Sequence, residues 1–201
     1  MRRYLFPGIL AILAWGACSS DPTGPDQRPA DQLIFLRLAT NAPPFESSTV
    51  SFYAKRGVDR EGRIYFQDSE GGRGEEFARL KIDAVSLLTR PDGTRFQTGD
   101  SVLVTLRIVD PLTLQIELLP SGLTFNKDRP AKLKLDYDFA DDDYNRDGVV
   151  DIDDDAAELK FSIWRQRQPG EPWIRQGTVK IEDQKEVEAE LTGFSRYAIA
   201  Y

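Results

Sequence analysis

The sequence predicts an all-β protein, an antiparallel β-sandwich of immunoglobulin-like type, and three observations predict it. Apolar and polar residues alternate with period two through most of the chain beyond residue 32. Turn signals rich in Pro and Gly separate the alternating stretches. No segment sustains a helical period over a dozen residues.

Taken in order, the first strand candidates are Leu33 to Leu38, Val50 to Ala54, Arg63 to Gln67 and Phe77 to Ile82. Ser101 to Ile108 sets Val102, Val104, Leu106 and Ile108 on one face. Leu112 to Leu118 alternates strictly, and Ala131 to Tyr137 repeats the design with Lys132 and Lys134 on a wet face. Leu159 to Arg165, residues 178 to 182, Glu186 to Leu191 and Arg196 to Ala200 complete the set. Pro91-Asp92-Gly93, Pro120-Ser121-Gly122 and Pro169-Gly170-Glu171-Pro172 combine the fixed φ of proline with the positive φ open to glycine, which tight reversals need. Residues 32–201 are enough for one such domain, with one face of each sheet in water.

The C-terminal half resembles the ZU-type β-domain in Leu118 to Phe125, Ala131 to Tyr137, Trp173 after its Pro/Gly turn, and Gly193 to Ala198. The resemblance implies a structural or protein-binding module without catalysis.

Ahead of the domain, Arg2 and Arg3 precede an apolar run from Leu5 to Trp15, too short to span a bilayer and readable as a signal peptide over residues 1–17. Trp15-Gly16-Ala17-Cys18 resembles the lipobox of bacterial lipoproteins, with Trp15 where an aliphatic residue is usual. The resemblance implies that Cys18 is acylated and becomes the mature N-terminus, so the chain meets the membrane through its lipid. Cys18 is the only cysteine, so no intramolecular disulfide can form. Ser19 and Ser20 follow where inner-membrane lipoproteins often carry Asp, which points to the outer membrane or cell surface. Residues 18–31, polar and with three prolines, read as a spacer.

The formal charge is −7, and residues 141–155 hold eight aspartates against Arg146. The acidity is therefore concentrated in one segment. No basic footprint exists for nucleic acid, and phosphate backbones would repel such a chain.

With Asp143 as position 1 of a twelve-residue loop, Asn145 falls at 3, Asp147 at 5, Gly148 at 6, Val149 at 7, Asp151 at 9 and Asp154 at 12. This is the spacing of an EF-hand loop over residues 143–154. Calcium takes six to eight oxygen ligands, which the side chains of Asp143, Asn145 and Asp147, the carbonyl of Val149, Asp151 through a water, and Asp154 can supply. Gly148 gives the bend, and Val150 is expected to anchor the loop to the core. Starting at Asp141 would put Arg146 at position 6, so one register works. Asp at 12 with Asn at 3 resembles the loop of dockerins, although one loop is seen and the segment before it reads as strand. Clustered carboxylates repel, and Ca2+ is expected to order them.

There is no histidine, which excludes Ser-His-Asp and Cys-His nucleophilic sites and histidine-bound metals. Glu70 to Glu76 is glycine-rich but lacks the Lys-Ser/Thr of a P-loop. Glu117, Glu158 and Glu188 are the acids a carboxylate-dependent hydrolase could use, yet they fall on wet strand faces. The alternating end Tyr197, Ile199, Tyr201 reads as a closing sandwich strand, because the strands are too short and too polar for an outer-membrane barrel. The combined expectation is a lipid-anchored, calcium-binding envelope module that is not an enzyme. The alternative is a dockerin-like adhesion or scaffold part recognising an envelope protein or polysaccharide.

Overall fold

The computed structural model describes residues 25–201 and turns the alternation into stacked antiparallel sheets. In chain order the strands are β1 (Gln27–Arg28), β2 (Thr49–Lys55), β3 (Arg60–Gln67), β4 (Arg73–Ile82), β5 (Leu87–Thr89), β6 (Ser101–Asp110), β7 (Gln115–Leu119), β8 (Thr124–Phe125) and β9 (Ala131–Asp136). A short helix, α1 (Ile152–Glu158), then precedes β10 (Ser162–Gln166), β11 (Trp173–Arg175), β12 (Thr178–Ile181), β13 (Glu186–Leu191) and β14 (Arg196–Ala200). One sheet runs β1-β11-β10-β14-β7-β6-β2, the second runs β12-β13-β9-β4-β3, and β5 pairs with β8 as a separate ribbon. Neither large sheet closes on itself, so the all-β sandwich holds and a barrel does not.

Period-two chemistry explains the layers. Along β9, Ala131, Leu133 and Leu135 are buried while Lys132, Lys134 and Asp136 are partly exposed. Opposite them on β13, Val187, Ala189 and Leu191 are buried too, in register with Leu135, Leu133 and Ala131. The inner faces of both sheets merge in one core that includes Leu80, Phe77, Leu106, Ile116, Ile163 and Tyr197. Burial of each such side chain contributes roughly 1.5–3 kcal/mol. Gly62 on β3 has a packing reason, since a Cβ there would collide with the Phe52 ring of β2.

The outer face of the second sheet is ionic. Lys134 contacts Glu76 at 3.1 Å and Glu186, and Lys132 contacts Glu188 at 3.0 Å. Burial works against the Glu76 carboxylate, but hydrogen bonds from Arg79 and Lys134 prevail and hold its pKa below the usual carboxylate value.

The outer face of the first sheet is apolar near its β10 end. Trp164, Trp173, Ala198 and Ala200 form a second cluster covered by Leu33 and Phe35. Phe35 sets its ring edge against Trp173 at 5.0 Å, and Trp164 Nε1 donates to the Ala200 carbonyl at 3.0 Å, so the buried indole is satisfied.

Several elements differ from expectation. Leu33 to Leu38 is not a continuous strand: it makes isolated bridges at Phe35 and Leu38 and scattered backbone bonds, among them to residues 112, 141, 199 and 201. Leu112 is 72% exposed at the tip before β7, so the alternation becomes strand only from Gln115. Gln27 and Arg28, placed in the spacer by composition, pair with Ile174 and Trp173 of β11. The predicted signal peptide and Cys18 lie outside the described residues. Among the described residues no helix is long and apolar enough to cross a membrane.

Candidate metal centre

The acidic segment leaves β9 through a turn that is held on both sides. The Ala140 amide donates to the Tyr137 carbonyl, and the Asp141 amide donates to the Arg37 carbonyl at 2.8 Å. From there the twelve residues 143–154 fold over their own side chains. Asp143 accepts from the amides of Asp147 at 3.1 Å and Gly148 at 2.9 Å. Asn145 Oδ1 accepts from the Asp147 amide at 2.8 Å, and Asp147 Oδ1 accepts from the Val149 amide at 2.9 Å. Short Asp and Asn side chains favour this capture of amides two to five residues ahead. Gly148 sits at φ +90°, a conformation that costs glycine nothing and an L-residue about 1–2 kcal/mol.

The second half is closed by Asp154. Its two oxygens accept from the Asn145 amide at 3.0 Å and the Asp151 amide at 2.9 Å, joining positions 3, 9 and 12 of the loop. Asp151 is the N-cap of α1, accepting from the Asp153 amide at 2.9 Å, so Asp151 and Asp154 form a reciprocal capping box. Asp154 is only 2% exposed, and the amides of Asn145 and Asp151 hold its carboxyl below the usual carboxylate pKa. Aspartates at 153, 154 and 155 fill the first turn of α1, where the positive end of the helix dipole favours them.

The anchor of the loop is not Val150, which is 66% exposed. Tyr144, at position 2, takes that role: it is 6% exposed and sets its ring edge against Phe161 at 4.9 Å. Burial raises its hydroxyl pKa well above the usual phenol value. The lone aromatic inside a run of acids was the available signal. Arg146, at φ +66°, turns its guanidinium away from the loop to the Phe35 carbonyl. Helix α1 departs from the all-strand pattern expected here, and the D-x-x-D spacing of Asp151 and Asp154 is the capping signal in the sequence that marks it.

Among the described residues, no group of three His, Cys, Asp or Glu side chains is gathered that could hold a metal ion as it stands. Asp147 Oδ2 accepts instead from the Asn145 side-chain amide at 3.1 Å. The residue types match the spacing of a calcium loop in sequence, with Gly148 at positive φ at the bend, but the side-chain oxygens do not converge on one point as they stand. Asn145 and Asp147 would have to exchange their mutual contact for the ion.

The acids weighed for hydrolysis lie apart on different elements, each against a cation. Glu117 of β7 pairs with Arg107, Glu158 of α1 accepts from the Tyr137 hydroxyl at 2.7 Å and faces Lys180 at 3.4 Å, and Glu188 of β13 pairs with Lys132. The Glu70 to Glu76 stretch is a turn leading into β4, where Asp68 accepts the Gly72 amide at 2.7 Å. Comparison of the chain with protein-family models, with curated proteins and with solved structures gave no match.

Proposed function

We propose that residues 143–154 bind one Ca2+ and that the chain is a lipid-anchored, extracytoplasmic structural or binding module of the cell envelope, tethered through Cys18. The observation that carries the metal reading is the hydrogen-bonded frame closed by Asp154, which draws positions 3, 9 and 12 together. Asp143, Asn145 and Asp147 contribute side-chain oxygens, Val149 its carbonyl, Asp151 a water-mediated contact and Asp154 the closing carboxylate. When bound, the ion supplies positive charge against a segment of net charge −7. The chain's own part is to hold the oxygens: Gly148 makes the bend, the capping box fixes Asp151 and Asp154 to α1, and Tyr144 fastens the loop to the core. An oxygen-only site suits a hard cation and extracellular calcium levels, with affinity in the range of roughly 10 μM to 1 mM.

The dockerin-like alternative has one observation in its favour. Val149, Val150, Ile152 and Leu159 are all more than half exposed around the loop and α1, an apolar rim beside a charged loop. Calorimetric titration with Ca2+ tests the metal reading, and a pull-down from envelope extract with and without calcium tests the partner reading. Loss of partner capture in Asp143→Ala with an unchanged circular dichroism spectrum would favour the alternative.

A further inference from the structure

A second site lies at the far end of β10, away from the acidic loop. A surface pocket of about 430 Å³ opens there between the end of β7, the turn after β10 and the approach to β14. Three arginines line it, Arg165, Arg167 and Arg196, with Glu117 as its only carboxylate. Their charges are poorly matched within the protein. Arg165 Nε donates to Ser195 Oγ at 2.8 Å and Nη1 to Thr192 Oγ1 at 3.5 Å, both neutral hydroxyls. Arg167 is exposed and makes no ion pair among the described residues. Glu117 Oε2 is taken by Arg107, and Glu117 Oε1 reaches Arg196 Nη2 only at 3.9 Å.

Arg196 gives the clearest sign. Its Nε is buried and has no hydrogen-bond partner, the one such side-chain atom found among the described residues. A buried donor without an acceptor is costly, and the partly exposed Nη groups of the same guanidinium face Glu117 only at 3.9 Å, so Arg196 is under-satisfied on its open side as well. Gly193 leaves room for Arg165 beside it, because a Cβ there would stand 3.3 Å from Arg165 Nη2 and 2.9 Å from the Leu123 carbonyl.

We infer that this pocket binds a phosphate group carried on a small polar molecule. Guanidinium groups present planar forks of N–H donors matched to oxyanions. Three arginines against one glutamate leave an excess of two positive charges, which suits a phosphate monoester near −2 better than a carboxylate at −1. The ligand oxygens take the exposed N–H donors of Arg165 and Arg167 and the terminal Nη groups of Arg196, whose side chain is partly exposed. The site is independent of the calcium loop and stands or falls without it.

The test is an NMR titration of the full chain with inorganic phosphate at constant ionic strength, following the arginine Nε–Hε signals, with acetate and a hexose phosphate as parallel arms. A saturable shift of the Arg196 signal with phosphate, stronger with the hexose phosphate, supports the inference. A shift only with vesicles bearing phosphatidic acid, with none for inorganic phosphate or the hexose phosphate, overturns the small-molecule ligand and assigns the pocket to a lipid headgroup. Arg167→Ala, at an exposed position, weakens binding about tenfold without lowering the melting temperature. Arg196→Gln abolishes it, and its melting temperature reports whether the fold survives. No phosphate-dependent shift, or an equal response to acetate, overturns the inference.

Discussion

The hydroxyl of Tyr201 donates to the backbone carbonyl of Tyr144 at 3.1 Å, joining the residue after β14 to the second position of the acidic loop. Phe161 packs against both rings, edge-on to Tyr144 at 4.9 Å and tilted against Tyr201 at 5.8 Å. The loop is therefore fastened to the first sheet by aromatic packing and one hydrogen bond, while its carboxylates face their own backbone.

Tyr201→Phe removes that bond and leaves the ring. It is expected to lower stability by about 0.5–1.5 kcal/mol in urea denaturation. Tyr144→Ala takes away the buried ring itself and is expected to cost about 3 kcal/mol. A Tyr144→Ala protein as stable as the parent would show that the loop does not depend on this anchor.

Asp136 supplies a pH dependence. Its carboxyl is pushed up to about 6, first by burial and then by Asp138 and Glu186, against a hydrogen bond from the Asp138 amide. A raised carboxyl pKa means that the folded state binds the proton more tightly, so this group's contribution to stability falls as pH rises from about 4 to about 6. Asp136→Asn removes that loss. The upper bound is about 3 kcal/mol for two pKa units, and partial exposure reduces it to about 1 kcal/mol. Urea midpoints of the two proteins should diverge across this window and stay parallel above it. Parallel curves throughout would contradict the assignment.

The bend at Gly148 can be tested in isolation, since nothing lies within 4 Å of a Cβ added there. Gly148→Ala therefore reports on the φ of +90° without a clash. It is expected to cost about 1–2 kcal/mol, read by urea denaturation, and to weaken calcium binding.

Much of the sandwich is legible in the sequence because period two leaves its mark wherever one strand face is wet and the other dry. β9 and β13 show it best: Lys132, Lys134, Glu186 and Glu188 alternate with buried Leu and Val. The two- and three-residue strands β1, β5, β8 and β11 are too short to carry a period, and tertiary pairing makes them. Leu112 shows the opposite failure, an alternating position spent on a hairpin tip. In the acidic segment the EF-hand-like spacing is visible in the sequence, since it depends on residue type alone. Its attachment is not, because the choice of Tyr144 over Val150 is decided by Phe161 and Tyr201, which come later in the chain.

The proposed membrane attachment turns on one thiol. Cys18→Ser is expected to move the protein from the membrane fraction to the soluble fraction, since each acyl methylene contributes about 0.8 kcal/mol to anchoring. Mass spectrometry of the mature protein should find an acylated Cys18 at its N-terminus. An unmodified Cys18 in a membrane-bound protein would contradict this reading.

Calorimetric titration of the protein with Ca2+ probes the central claim most directly. One site is predicted, with a dissociation constant of roughly 10 μM to 1 mM, absent in Asp143→Ala and accompanied by a higher melting temperature that a chelator reverses. No binding heat at millimolar calcium, with melting unchanged by the chelator, would contradict it.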